Sequence, residues 1–93
     1  MAGKIHASHI LVKTEPEANV VLYDVTHGKL FEDVAKEKSI CPSAKKGGDL
    51  GWFTKGRMVK EFEQAAFALK KGEISKPVKT QFGWHIIKVN DAQ

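Results

Sequence analysis

Cysteine is almost missing from this chain: its 93 residues hold one, Cys41. A lone cysteine closes no internal disulfide, which fits a reducing compartment. It also rules out the paired-cysteine frameworks of structural zinc, and the four histidines, at 6, 9, 27 and 85, do not stand at ligand spacing. Arginine is as scarce. Of the fifteen basic residues only Arg57 is not a lysine. Readers of a nucleic-acid sequence lean on arginine for bidentate contacts to bases. A lysine-borne net charge of +4 therefore argues for solubility and weak attraction to polyanions, not for sequence-specific nucleic-acid binding. Weak lysine-mediated docking to acidic partners or to an anionic membrane surface uses the same electrostatics.

Long apolar runs are lacking too. Nothing approaches the ~20 residues of a membrane span, and the opening "MAGKIHASHI" has no apolar signal region. The expectation is a complete, monomeric, cytoplasmic chain, at most peripheral at a membrane, with residues 1–93 forming a single domain around one modest core. Glycine signatures for phosphate are absent as well. In "SICPSAKKGGDLGWF", residues 39–53, the lysines precede the glycines and no helix follows directly, so neither the P-loop nor the dinucleotide pattern is met. Gly47, Gly48 and Gly51 read as a tight entry into a strand. No metal and no cofactor are expected.

What is present is an alternation of strand and helix signals. Residues 5–12 alternate as a strand, with Ile5, Ala7, His9 and Leu11 on one face. Thr14 as N-cap, Pro16 in the first turn and two early acids open a helix over about 15–26, weak in propensity because of its β-branched residues. Gly28 is its expected stop. Phe31, Val34, Ala35 and Lys38 give a second helix whose charges match its dipole. A short strand is expected near 50–53, then a third helix with Met58, Phe62, Ala65, Ala66 and Leu69 on one face and Gly72 as its C-terminal signal. Pro77 confines residues 74–80 to an edge or irregular strand. Gln81-Phe82-Gly83 reads as a turn, and 84–90 as a strand with His85, Ile87 and Val89 on one face. Strands at both ends with helices between give an α+β domain whose terminal strands can lie side by side.

Two kinds of chemistry can be placed on this frame. Cys41 with His9 or His85 could form a nucleophile–base pair, although the signatures of cysteine proteases are missing and a lone cysteine is often buried and inert. His9 and His85 each share a face with apolar neighbours, which is the setting of a fixed, hydrogen-bonded pair inside a domain. Met58 and Phe62 read as core at helical spacing, and Leu50, Phe53 and Phe82 as core or turn residues.

Three segments, "HASHILVK", "CPSAKKGGDLGWFTKGRMVKEFEQAAFAL" and "PVKTQFGWHIIKV", together resemble the parvulin-type peptidyl-prolyl cis-trans isomerases over about residues 4–90. The resemblance implies a parvulin-like fold of the FKBP-like superfold: a four-stranded, mostly antiparallel sheet surrounded by four helices in the order β-α-α-α-β-α-β-β, with the extra short helix near Pro42 to Lys45. It implies catalytic-site positions at His9, Cys41, Thr80 and His85, and a pocket for the substrate's proline ring lined by Leu50, Met58, Phe62 and Phe82. Cys41 falls where members carry Cys or Asp, which speaks against covalent attack. The implied activity is rotation about Xaa–Pro bonds in peptides and folding proteins by non-covalent stabilisation of a twisted amide. The alternative is a non-enzymatic chaperone or client-binding module using the same groove. The phosphate-directed branch has a basic, Arg-bearing loop after the first strand; here Lys13-Thr14-Glu15-Pro16-Glu17 is short and mostly acidic. No phospho-Ser/Thr preference is expected.

Overall fold

A computed structural model describes residues 3–93; Met1 and Ala2, part of the stretch read above for a leader, lie outside the described residues. The elements run β1 (Lys4–Val12), α1 (Glu15–Thr26), α2 (Phe31–Lys38), a 3-10 turn (Pro42–Lys46), β2 (Asp49–Thr54), α3 (Lys60–Ala68), β3 (Val78–Thr80) and β4 (Gly83–Ala92). The four strands form one sheet in the order β2-β1-β4-β3, and all three pairings are antiparallel. The first and last strands are thus central neighbours, as expected.

Alternation on these two strands builds two cores, not one, on opposite faces of the sheet. Ile10 and Val12 of β1 and Ile86 of β4 pack with Ala18 and Val21 of α1 and Phe31, Val34 and Ala35 of α2. Ile5 and Ala7 of β1 with Ile87 and Val89 of β4 pack on the other side with Phe53, Phe62 and Ala66. Each fully buried aliphatic side chain contributes roughly 1.5–3 kcal/mol. The three central isoleucines Ile10, Ile86 and Ile87 have no exposed surface at all, so the middle of the sheet is its most firmly held part.

Helix α1 is closed at its start by Thr14, whose hydroxyl oxygen accepts from the Glu17 amide while its proton goes to the Glu17 carboxylate. That reciprocal cap offsets the poor propensity of the helix interior. Two expectations need correction. The helix near Pro42 is a 3-10 turn, leaving three α-helices: Pro42 opens it and Gly47, at φ +69°, turns it off after five residues. Helix α3 is shorter than the apolar spacing suggests, because Val59 and Leu69 are extended and bound it; Met58 therefore precedes the helix, and Gly72 is not its stop. Residues 74–80 form an edge and irregular strand, as Pro77 led us to expect: three residues of β3, with Ile74 in a single bridge to Lys88.

One glycine in the loop entering β2 is required by contact as well as by angle. Gly48 has φ +87°, and a Cβ built on it would lie 2.4 Å from the His9 carbonyl oxygen. The close approach lets the Gly48 carbonyl accept from the His9 amide at 2.9 Å, which fixes the loop against β1 beside His9.

Candidate active site

The register of β1 on β4 sets Leu11 opposite His85 and His9 opposite Ile87. His9 and His85 are therefore diagonal neighbours on one face, a separation that aromatic side chains can bridge. They do so: His9 Nδ1 lies 2.9 Å from His85 Nδ1. The ring planes differ by 21° and the centroids are 5.1 Å apart, close to the N···N distance plus two ring radii, so the imidazoles meet edge to edge. Thr80, at the end of β3, completes the row with its Oγ1 2.7 Å from His85 Nε2. The ring of Phe62 stands nearly perpendicular to both imidazoles, 5.5 and 5.3 Å away.

Hydrogen-bond accounting selects one arrangement of protons. The Thr80 oxygen accepts from the Phe82 amide at 3.1 Å, so its own proton is free to go to His85 Nε2. His85 then donates from Nδ1 to His9 Nδ1, and His9 carries its proton on Nε2, which finds no partner among the described residues. The reverse direction leaves the Thr80 proton unused as well. Burial drives both histidines to pKa values of about 4, and for His9 the proximity of His85 adds to the effect. At neutral pH the pair is uncharged.

An apolar cleft of about 560 Å3 opens over this row, lined by His9, Leu11, Ile40, Cys41, Pro42, Leu50, Arg57, Met58, Val59, Phe62, Phe82 and His85. Seven of the eight positions singled out from the sequence line it directly. Thr80 does not, and joins through its bond to His85. Cys41 arrives on a loop clamped to β1: Ile40 donates its amide to the Leu11 carbonyl at 2.8 Å, and Ser39 Oγ accepts from the amides of Leu11 and Cys41. Met58 arrives on the loop before α3, which is tied down by the Gly56 amide donating to the Glu63 carboxylate. Phe82 sits on the β3–β4 turn and is 57% exposed, so it is a rim residue and not core.

Sequence reasoning did not place Leu11, Ile40, Pro42, Arg57 or Val59 at the site. Leu11 had a visible signal, since it shares the His9 face of β1. The other four flank Cys41 and Met58 in the chain, on loops where no periodicity points inward. A second cleft, about 260 Å3, lies on the opposite face of the sheet among His6, Ser8, Phe31, Lys46, Asp49 and Asn90. It is polar and has no access to the histidine pair. Among the described residues no group of His, Cys, Asp and Glu gathers to hold a metal ion.

The cleft thus joins an apolar floor large enough for a small ring to a neutral, hydrogen-bonded polar wall. Such a site suits a substrate that is turned without being charged or cut. Residues 9–91 match the family model described as the rotamase, PPIC-type PPIase domain. The chain is 60% identical over 89 residues to the foldase protein PrsA 1 of Bacillus cereus, covering 95% of this chain and 31% of that protein. The crystal structure of the peptidylprolyl isomerase PrsA from Bacillus anthracis superposes with a TM-score of 0.96 at 46% identity, covering 99% of this chain and 43% of that one. The solution structure of NmPin, the parvulin of Nitrosopumilus maritimus, gives a TM-score of 0.88 at 51% identity, covering 98% of this chain and 99% of that one. The chain spans about a third of the length of the curated relatives it matches.

Proposed function

The chain belongs to the PPIC-type peptidyl-prolyl isomerase family, the parvulins, and from that membership we propose that its apolar cleft turns Xaa–Pro bonds by favouring a twisted amide. The barrier to that rotation, ~18–20 kcal/mol, comes from amide resonance. Lowering it asks for no bond to be broken, only for tighter binding of the twisted form than of either planar one. Twisting removes charge from the carbonyl oxygen and returns a lone pair to nitrogen. A site that excludes water and sets a neutral wall against the amide favours that change.

Leu50, Met58, Phe62 and Phe82 take the proline ring. His9, Cys41, Thr80 and His85 form the polar side. In this reading the histidine pair acts as a rigid neutral wall. The single observation that supports it is the conjunction of two buried imidazoles held near pKa 4 with an apolar cleft directly above them. Cys41 works as a polar group near the carbonyl and not as a nucleophile. The acidic loop after β1 leaves no requirement for a phosphorylated residue before proline.

The whole of residues 1–93 acts as one such domain, and its substrates are proline-containing peptides and protein clients. The foldase name of the PrsA relatives supports clients of the second kind. The exposed rim residues Ile40 and Phe82 favour holding extended apolar segments as well as turning them. The lysine excess supports weak, salt-sensitive docking on acidic partners or anionic lipid, and the free Cys41 supports a reducing compartment such as the cytoplasm. We take the acting species to be a monomer, which sedimentation at working concentration checks.

The deciding experiment is exchange NMR on short, unphosphorylated Xaa–Pro peptides with catalytic amounts of protein. Cis–trans exchange faster than the uncatalysed tens of seconds supports the proposal. No acceleration, with peptide binding retained, leaves only the client-holding role.

A further inference from the structure

The apolar cleft has one permanently charged group in its lining. The pair of histidines is neutral at physiological pH, and the other lining residues are aliphatic, aromatic or sulfur-bearing apart from Arg57. Arg57 is also the one arginine of the chain. It makes no ion pair and no side-chain hydrogen bond among the described residues, so its guanidinium is free at the mouth of the cleft. Its place is not that of a loosely attached surface residue. The loop carrying Arg57 and Met58 is pinned from below by the Glu63 carboxylate, which accepts from the Gly56 amide. Met58, the next residue, faces the same cavity. A ring seated against Met58 therefore brings the neighbouring residue of its own chain past Arg57.

We propose that Arg57 makes this isomerase prefer substrates with an acidic side chain, Glu or Asp, next to the proline. The inference rests on the isomerase reading above and adds a substrate class to it. A guanidinium offers a carboxylate two parallel donors and stays charged at every working pH. Lys55, the nearest cation in sequence, has its ammonium over the Phe67 ring 5.6 Å from the centroid, and neither residue lines the cleft. It does not duplicate the role. Glu63, the acid closest to the loop by hydrogen bonding, is turned to the Gly56 amide. Because Arg57 is exposed, the preference is modest: about two- to five-fold in kcat/KM for a Glu–Pro over a Leu–Pro peptide, the range of a solvent-exposed ion pair, with Lys–Pro displaced in the opposite direction. The same contact leaves neutral substrates acceptable, consistent with a cleft whose floor is apolar.

The test is a peptide panel with Glu, Leu or Lys on either side of one proline, read by exchange NMR at low and high salt for the wild type, Arg57→Gln and Arg57→Lys. The expected result is an acid preference that shrinks with salt, is lost in Arg57→Gln and persists in Arg57→Lys. Equal rates across the panel in the wild type, or a ratio untouched by Arg57→Gln, overturn the assignment while leaving the isomerase intact. Failure to accelerate any peptide overturns the isomerase reading and this inference with it. A preference surviving in Arg57→Gln but abolished by salt assigns it to the general lysine field instead.

Discussion

Two buried imidazoles with pKa values near 4 make stability depend on pH in a defined window. An unfolded histidine titrates near 6.5, whereas His9 and His85 in the folded protein titrate at about 4. Between those values the unfolded chain binds more protons, so acid favours unfolding. The stabilisation is fully present above pH 6.5 and is lost as the pH falls toward 4. At pH 5 each unfolded imidazole is almost fully protonated and each folded one almost fully neutral. With 1.36 kcal/mol per pKa unit, lowering the pH from 7 to 5 costs about 2 kcal/mol for each ring and about 4 kcal/mol for the pair. Ordinary carboxylates titrate below this window, at about 3.9–4.3, so most of the change belongs to the histidines.

Urea unfolding measures it. A loss of about 4 kcal/mol lowers the midpoint by about 2–4 M for a domain of this size. His85→Gln, which keeps an amide near Thr80, should remove about half of the pH dependence. Isomerase activity should stay level over the same range for as long as the protein remains folded, because the folded pair stays neutral. Stability that changes by less than about 1 kcal/mol between pH 7 and 5 would refute the argument. So would ring signals that titrate near 6.5 in the folded protein for both histidines.

Thr80→Val leaves His85 Nε2 and the Phe82 amide without their shared partner; a loss of about 1–3 kcal/mol in denaturant unfolding is expected, with slower peptide exchange. Thr80→Ser should recover most of both. Gly48→Ala forces a Cβ to within 2.4 Å of the His9 carbonyl oxygen at φ +87°. It should cost about 2–4 kcal/mol and speed hydrogen exchange at the His9 amide, which bonds to the Gly48 carbonyl. A neutral Gly48→Ala would show that the loop relaxes freely. Cys41→Asp should keep the fold and hold catalysed exchange within about ten-fold of the wild type; abolished exchange in a folded protein would instead assign covalent work to the thiol.

Features set by local chemistry were legible in the sequence almost to the residue. Thr14 capping Glu17 and the charge gradient of Phe31–Lys38 mark where α1 and α2 lie, while packing against β1 and β4 holds them. Helix α3 was misjudged because the apolar spacing runs on through Met58 and Leu69, while the backbone at Val59 and Leu69 is extended. A side chain can face the core from a loop as well as from a helix, and periodicity cannot tell the two apart. Gly72 misled for a similar reason: it serves a turn whose amide bonds to the Val89 carbonyl, a long-range partner invisible to local reading. At the site, alternation alone put His9 and His85 on apolar faces, and the placement of terminal strands side by side brought them together. Cys41, Met58 and Phe82 ride on loops; Cys41 stood out as the one thiol, but only the family resemblance put all three at a proline pocket.

That division has a mechanical consequence. The histidine pair stands on β1 and β4, the two central strands, flanked by isoleucines with no exposed surface. Moving either ring means shifting strands whose both faces are packed, and close packing resists such shifts. The groups that would meet the rest of a substrate are held differently. Cys41 depends on the hydrogen bonds that tie Ser39 and Ile40 to Leu11, and Arg57 and Met58 on the bond between Gly56 and Glu63. These loops can change sequence without disturbing a packed strand. Substrate preference can therefore vary over an unchanged polar wall, since the two are anchored to different parts of the fold.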